Sequence, residues 1–135
     1  MGWQTYNLDR AAQSLVLKAR ERDRQSLNQS FKMREAVAYG LERFWGEQFR
    51  LAEREPEKAQ YWRETWGELV TAMQQAGVTI PNDAVGNDVT KVRAMAEKLW
   101  QLHQDDQRAA IAVLTQLCDC LVWWTQRYKL GRDES

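Results

Sequence analysis

The residues best suited to hold an anion are six basic side chains in the first third of the chain. They are Lys18, Arg20, Arg22, Arg24, Lys32 and Arg34. On a helix, Arg20 and Arg24 are i, i+4 neighbours and share one face. A row of guanidinium groups there would bind successive phosphates of a nucleic-acid backbone by bidentate hydrogen bonds. The interleaved Glu21 and Asp23 equally fit a solvated helix face with local ion pairs, so both interpretations stay open.

Tryptophan is the second unusual feature, with seven in 135 residues. Trp123 and Trp124 are adjacent, and neighbouring residues on a helix point about 100° apart. Both rings therefore cannot face one core, and we expect one of them to lie at an edge. There it would anchor a protein–protein interface or stack on a nucleobase. Bulky packing inside a helical bundle is the other interpretation of these rings.

The side chains that could perform catalysis are few and poorly spaced. Cys118 and Cys120 lie two apart in a helical segment, so their thiols point to nearly opposite faces and make a poor metal pair. His103 is the single histidine, and neither a Glu-x-x-His motif nor a Gly-rich phosphate loop occurs. A nucleophile pair of Cys118 and His103 would need the two to meet in space, whereas a buried, reduced thiol is the simpler interpretation. We therefore expect no catalytic residues, no metal site and no cofactor.

The bulk composition limits the classes of partner. The chain has 19 basic and 19 acidic residues, whereas a protein dominated by nucleic-acid binding is usually basic. Any phosphate contact must then come from a local patch. The first residues contain no apolar core of a signal peptide, and no apolar run is long enough to span a bilayer. These features predict a cytoplasmic protein with no membrane partner, and the length predicts one domain, residues 1–135.

An apolar stripe at helical spacing opens the chain, formed by Leu8, Ala12, Leu15 and Ala19. The pattern stops at a polar stretch, residues 18–26, and then resumes. This predicts either two helices in the first third or one long helix with an exposed polar middle. Gly40 and Gly46 fall in the second apolar stretch and predict close packing against a neighbour.

The middle of the chain carries clear helix boundaries. Pro56 suits the first turn of a helix, and Gly77 is placed to end that helix in a left-handed conformation. Residues 77–81 form the one β-like stretch, which is too short to make a sheet alone. Asn87 or Asp88 is expected to cap the helix that follows.

The last helix is the expected centre of the fold. Asp105 or Asp106 is predicted to cap it, and Gly131 to end it. Its apolar residues cover much of its circumference, which is typical of a helix surrounded by others. In sum, the chain predicts an all-α fold, a single-domain bundle of four to five helices joined by short loops.

In size and layout, the chain resembles the small all-helical subunits of CRISPR effector complexes. Those subunits are single bundles without catalytic residues that stack along the complex and contact the guide–target nucleic acid through basic side chains. The resemblance covers the whole chain as architecture and rests on no diagnostic motif. It implies that the six basic residues of the first third face nucleic acid.

These features favour a non-catalytic subunit of a larger assembly, a nucleoprotein. Its basic N-terminal helix would contact the backbone of RNA or single-stranded DNA, and its tryptophan-rich surfaces would contact other protein subunits. The alternative is a self-associating adaptor or regulatory protein without nucleic acid, in which Trp123 and Trp124 anchor the interface. A third hypothesis is an enzyme that uses Cys118 or a pair of acids that the sequence spacing does not reveal.

Overall fold

The structure, a computed structural model, describes residues 5–129. Among these residues there are helices and no β-strands, which confirms the all-α class. Six α-helices are present, so the prediction of four to five was too low. Their bounds are α1 Thr5–Arg22, α2 Gln29–Ala36, α3 Leu41–Ala52, α4 Pro56–Gln75, α5 Val89–Trp100 and α6 Gln104–Lys129.

The polar stretch after α1 is a tight turn, so neither interpretation of the first third was right. α1 ends at Arg22, and Asp23 is extended, with φ −168° and ψ 110°. Its carboxylate accepts hydrogen bonds from the Gln25 N–H at 3.1 Å and from the Ser26 hydroxyl at 3.3 Å. An Asp in this position starts a new helical segment by binding free N–H groups. A short 3₁₀ segment therefore follows, Arg24–Asn28, and leads into α2.

A second break separates α2 from α3 and depends on a glycine. The 3₁₀ turn Val37–Tyr39 ends at Gly40, which has φ 97°, a conformation that residues with a Cβ rarely adopt. A Cβ placed on Gly40 would have no neighbour within 4 Å, and one on Gly46 would lie 3.6 Å from a carboxylate oxygen of Glu42. The prediction of close packing at these glycines was therefore wrong, because Gly40 serves the backbone turn instead.

The boundaries of α4 agree with the prediction. Pro56 lies in its first turn, and Gly77 follows its end with φ 83°. The Val78 N–H donates to the Met73 carbonyl at 2.9 Å, which satisfies a carbonyl that the helix end leaves without a partner. The β-like stretch that begins at Gly77 forms no strand and belongs to an irregular loop that reaches Asp88.

The caps of the last two helices were predicted with unequal success. Asp88 caps α5, since its carboxylate accepts from the N–H groups of Thr90 at 2.9 Å and Lys91 at 3.2 Å. α6 begins at Gln104, two to three residues earlier than predicted, because His103 rather than Asp105 or Asp106 caps it: the His103 Nδ1 accepts from the Asp105 N–H at 3.1 Å. The predicted end at Gly131 lies outside the described residues.

α6 is the central helix of the bundle, as its apolar circumference predicted. It packs against α1, α2 and α4, while α5 packs against α3. The same apolar core continues between α3 and α4, where the rings of Phe44 and Trp62 are 4.8 Å apart. Three of the seven tryptophans are buried in this part of the core: Trp45, Trp62 and Trp66. Core packing is therefore the right interpretation for these three.

None of the helices among the described residues has the length and apolar character that crossing a membrane requires.

Candidate nucleic-acid interface

The six basic residues of the first third do not share one helix face. α1 ends at Arg22, so Arg20 lies on that helix while Arg24 lies in the 3₁₀ segment that follows. The expected i, i+4 pair of guanidinium groups is therefore wrong. Lys32 and Arg34 lie on a third element, α2.

Arg22 forms an ion pair with another residue of the protein. Its two terminal nitrogens donate to the two carboxylate oxygens of Glu64 at 3.1 and 3.2 Å. The two side chains are 22% and 28% exposed, and the Gln60 amide donates to the same carboxylate. This bidentate contact ties the end of α1 to α4. Arg22 is therefore engaged by the fold itself, and its contact with phosphate stays a prediction.

Two further basic residues contact α6. The Arg34 Nε donates to the Asp119 carboxylate at 2.6 Å, in a pair that is largely exposed. The Arg20 Nε donates to the backbone carbonyl of Tyr128 at 3.2 Å, in the last turn of α6. Lys18, Arg24 and Lys32 are exposed. The helix C-terminus carries partial negative charge, so Arg20 stabilises this end of the bundle.

The two adjacent tryptophans have different surroundings. The Trp124 indole N–H donates to the Asp9 carboxylate at 2.8 Å, and its ring stacks on Tyr128 with the ring centres 5.7 Å apart. Gln13 donates to the Tyr128 hydroxyl at 2.8 Å, so Trp124 and Tyr128 together join α6 to α1. Trp123 is 55% exposed. Of the two predicted interface residues, Trp123 alone presents most of its ring to solvent.

Two cations that were not predicted as binding residues lie beside aromatic rings near the end of α6. The guanidinium carbon of Arg127 lies 5.9 Å from the ring centres of both Trp123 and Trp124. The ammonium of Lys129 lies 5.5 Å from the ring centre of Phe31 on α2. These distances fit cation–π contacts. The i, i+4 spacing of Trp123 and Arg127 is the signal that would have pointed to the first of these contacts.

Of the six basic residues, Arg20 lies beside the C-terminal end of α6, the part of the helix that also carries Trp123. We call this surface the basic–aromatic corner, formed by Arg20, Phe31, Trp123, Arg127 and Lys129. It combines three cations from two helices with an exposed indole ring. Beside the corner, Asp9 accepts a hydrogen bond from the indole of Trp124. Interleaved aromatic and basic groups of this kind hold single-stranded nucleic acid by stacking and by charge.

The thiols and the histidine do not form a reactive group. Cys118 is buried, and burial raises the pKa of its thiol above the ordinary value of 9.0, so the nucleophilic thiolate is disfavoured. Burial, followed by the charge of Asp9, also raises the pKa of Cys120. His103 precedes α6 and Cys118 lies fifteen positions later, roughly 22 Å along the axis at 1.5 Å per residue. A pair of Cys118 and His103 is therefore excluded.

Among residues 5–129, no three His, Cys, Asp or Glu side chains gather as a metal site would require. Comparison with known proteins adds no relative: no family model, no curated protein and no solved structure matches the chain significantly.

Proposed function

We propose that the protein is a non-catalytic helical subunit that holds a single strand of RNA or DNA at the basic–aromatic corner. The observation that carries the proposal is the exposed ring of Trp123 beside the Arg127 guanidinium, with a second cation, Lys129, two residues further on. A large exposed indole is costly to leave in water, and a nucleobase would cover it. The role agrees with the resemblance to the small subunits of CRISPR effector complexes.

The mechanism is placement rather than chemistry. A base would stack on Trp123, which stabilises such complexes by about 1–3 kcal/mol per base. Phosphates on either side of that base would lie near Arg127 and Lys129, and Arg20 would add positive charge at the edge. Because no base edge is read by a hydrogen bond, binding would depend little on sequence. The rest of the surface would contact neighbouring subunits of the assembly.

The test is fluorescence anisotropy of a labelled oligouridine and a labelled oligothymidine with the whole protein. We expect Trp123→Ala to weaken binding about tenfold, because the stacking surface is lost. Arg127→Glu should weaken it at least as much and make the affinity less dependent on salt, since each lost phosphate contact removes about 0.7 from the logarithmic slope.

The matched control is Arg93→Glu, which makes the same charge change on α5. Arg93 is exposed and its helix packs against α3, whereas Arg127 lies in the last turn of α6. If Arg93→Glu and Arg127→Glu weakened oligonucleotide binding equally, only the net charge of the protein would matter, and the proposed site would be wrong. Binding that Trp123→Ala leaves unchanged would likewise contradict the stacking role.

Self-association through Trp123 is the second candidate. A shallow hollow of about 200 Å³ lies beside this ring, lined by Trp123, Gln126 and Arg127. A second copy could insert its own Trp123 there, because aromatic and Arg residues are common anchors of protein interfaces. Light scattering after gel filtration decides between the two roles. A dimer mass that Trp123→Ala halves would favour the adaptor, whereas a monomer that still binds oligonucleotide would favour the nucleic-acid subunit.

A further inference from the structure

A groove of about 430 Å³ lies between α3, α4 and the loop before α5, and it shares no lining residue with the basic–aromatic corner. One wall is aromatic and comes from Trp45 and Phe49 of α3, whose rings are 4.9 Å apart. The opposite wall is the loop, residues 82–87, which includes the buried side chain of Val85. Arg63 of α4 also lines the groove. An aromatic wall with a cation beside it is typical of sites for small molecules.

The loop wall is held in place at several points. The Trp66 indole donates to the Pro81 carbonyl at 3.2 Å, and the Lys98 ammonium donates to Asp83 at 2.5 Å. Ile80 and Val85 are buried in the core. The groove is therefore formed before a ligand arrives, which lowers the ordering cost of binding.

Three polar side chains of the groove form no ion pair and no side-chain hydrogen bond with the described part of the protein. Among the described residues, no ion pair or side-chain hydrogen bond involves Arg63, Asn82 or Asn87. Asp83 is the one acid that lines the groove, and Lys98 neutralises it. A guanidinium and two amides are thus left as donors around an apolar surface. The complementary ligand has an apolar body and a negative end.

We propose that this groove binds a small carboxylic acid with an aromatic body. The body would pack against Phe49, whose ring lies on the buried Trp45, and the carboxylate would accept hydrogen bonds from the Arg63 guanidinium. The side-chain amides of Asn82 and Asn87 would donate to the same carboxylate from the loop. An inorganic anion would leave the aromatic wall uncovered, and a neutral aromatic would leave the guanidinium without a partner. This site is separate from the basic–aromatic corner and does not depend on the function proposed for it.

The probe is indole-3-acetate, followed by amide chemical shifts of the isotope-labelled protein. A ligand of this size in a preformed groove should bind with a dissociation constant on the order of 1 mM. We expect the shifts to centre on residues 45–52 and 82–87. The Arg63→Gln variant should bind about tenfold more weakly, as expected when a charge-assisted hydrogen bond is lost. Indole-3-acetamide, which keeps the ring without the charge, should likewise bind the unchanged protein about tenfold more weakly than indole-3-acetate does.

The matched control is Arg93→Gln, an exposed arginine on α5 that should bind the acid like the unchanged protein. The variant Ala84→Trp should fill the groove and abolish binding, while its circular dichroism should remain that of the native fold, since Ala84 is exposed. Equal affinity for the acid and the amide would overturn the proposal, as would equal loss in the Arg63 and Arg93 variants. Shifts that inorganic phosphate reproduces at the same concentration, or the absence of shifts in the groove, would overturn it as well.

Discussion

Three hydroxyl groups meet where α2, α4 and α6 approach one another. The Ser30 hydroxyl lies 2.5 Å from the Tyr61 hydroxyl and 2.6 Å from that of Thr125, and all three side chains are buried. Ser30 therefore links α4 to α6 through hydrogen bonds in an otherwise apolar core. Such groups stabilise the fold only while each has its partner, because an unsatisfied buried hydroxyl is costly.

This geometry predicts an order of stabilities. Ser30→Ala removes the central hydroxyl and leaves those of Tyr61 and Thr125 without that partner, so we expect a loss of about 1–3 kcal/mol in the free energy of unfolding. Tyr61→Phe leaves Ser30 bonded to Thr125 and should cost less. Tyr39→Phe, at an exposed tyrosine, should change stability by no more than about 0.5 kcal/mol. Urea unfolding measures all three, and a Ser30→Ala variant as stable as Tyr39→Phe would contradict the role of the cluster.

At the scale of single residues, the sequence showed which side chains could bind and not what they bind. Arg22 and Arg24 have the same chemistry and lie two apart, yet Arg22 is paired with Glu64, which is 42 residues away. Trp123 and Trp124 are adjacent, and the partner that distinguishes them, Asp9, lies 115 positions from Trp124. Pairings over such separations are set by tertiary packing and leave no local pattern.

At the scale of elements, two glycines of one segment have opposite roles. Gly40 has φ 97° before α3, and Gly46 lies inside that helix with room for a Cβ 3.6 Å from Glu42. Gly40→Ala should therefore destabilise the protein by about 1 kcal/mol or more, because a Cβ strains that backbone conformation. Gly46→Ala should stabilise it by about 0.5–1 kcal/mol, since alanine is the better helix former.

Thermal unfolding of the two variants checks the sign of each effect. Gly67→Ala is a second reference inside a helix, where a Cβ has open space, and should behave like Gly46→Ala. If Gly40→Ala and Gly46→Ala shifted the melting temperature in the same direction, the assignment of the turn at Gly40 would be wrong.

Helix boundaries were predictable where one residue determines them. Pro56, Gly77 and Asp88 each act through the neighbouring backbone, and their roles follow from their own chemistry. The region between α1 and α3 was not predicted, because its 3₁₀ turns are only three and five residues long. Segments of this length contain too few residues to show a periodic pattern of apolar side chains.

At the scale of the whole molecule, two buried groups make stability depend on alkaline pH. Burial raises the pKa of the Cys118 thiol above its ordinary 9.0 and that of the Tyr61 hydroxyl above its ordinary 10.0. The folded protein therefore keeps protons that the unfolded chain loses above those values. The free energy of unfolding should keep the full contribution of these two groups below about pH 8.5, and it should fall as the pH rises further.

Unfolding in urea at several pH values between neutral and alkaline checks this dependence. Cys118→Ala should make the free energy of unfolding fall less steeply over the first part of this pH range. Each buried group of this kind contributes up to about 1.4 kcal/mol per pH unit to that slope. Slopes are compared rather than absolute stabilities, since the substitution also changes core packing. Cys120→Ala, at a less buried thiol, should flatten the decline less. A slope that Cys118→Ala leaves unchanged would mean that this thiol ionises equally well in the fold.

The pairing of α1 with α6 also bears on synthesis of the protein. Asp9 and Gln13 on α1 bind Trp124 and Tyr128 on α6, so α1 meets these partners only after the chain has been synthesised as far as α6. Contacts over 115 residues close late and slowly, and until then the apolar side of α1 is open to chaperones. The basic–aromatic corner takes residues from the same two helices and Phe31 from α2. A nascent chain whose α6 has not yet left the ribosome therefore has no such corner.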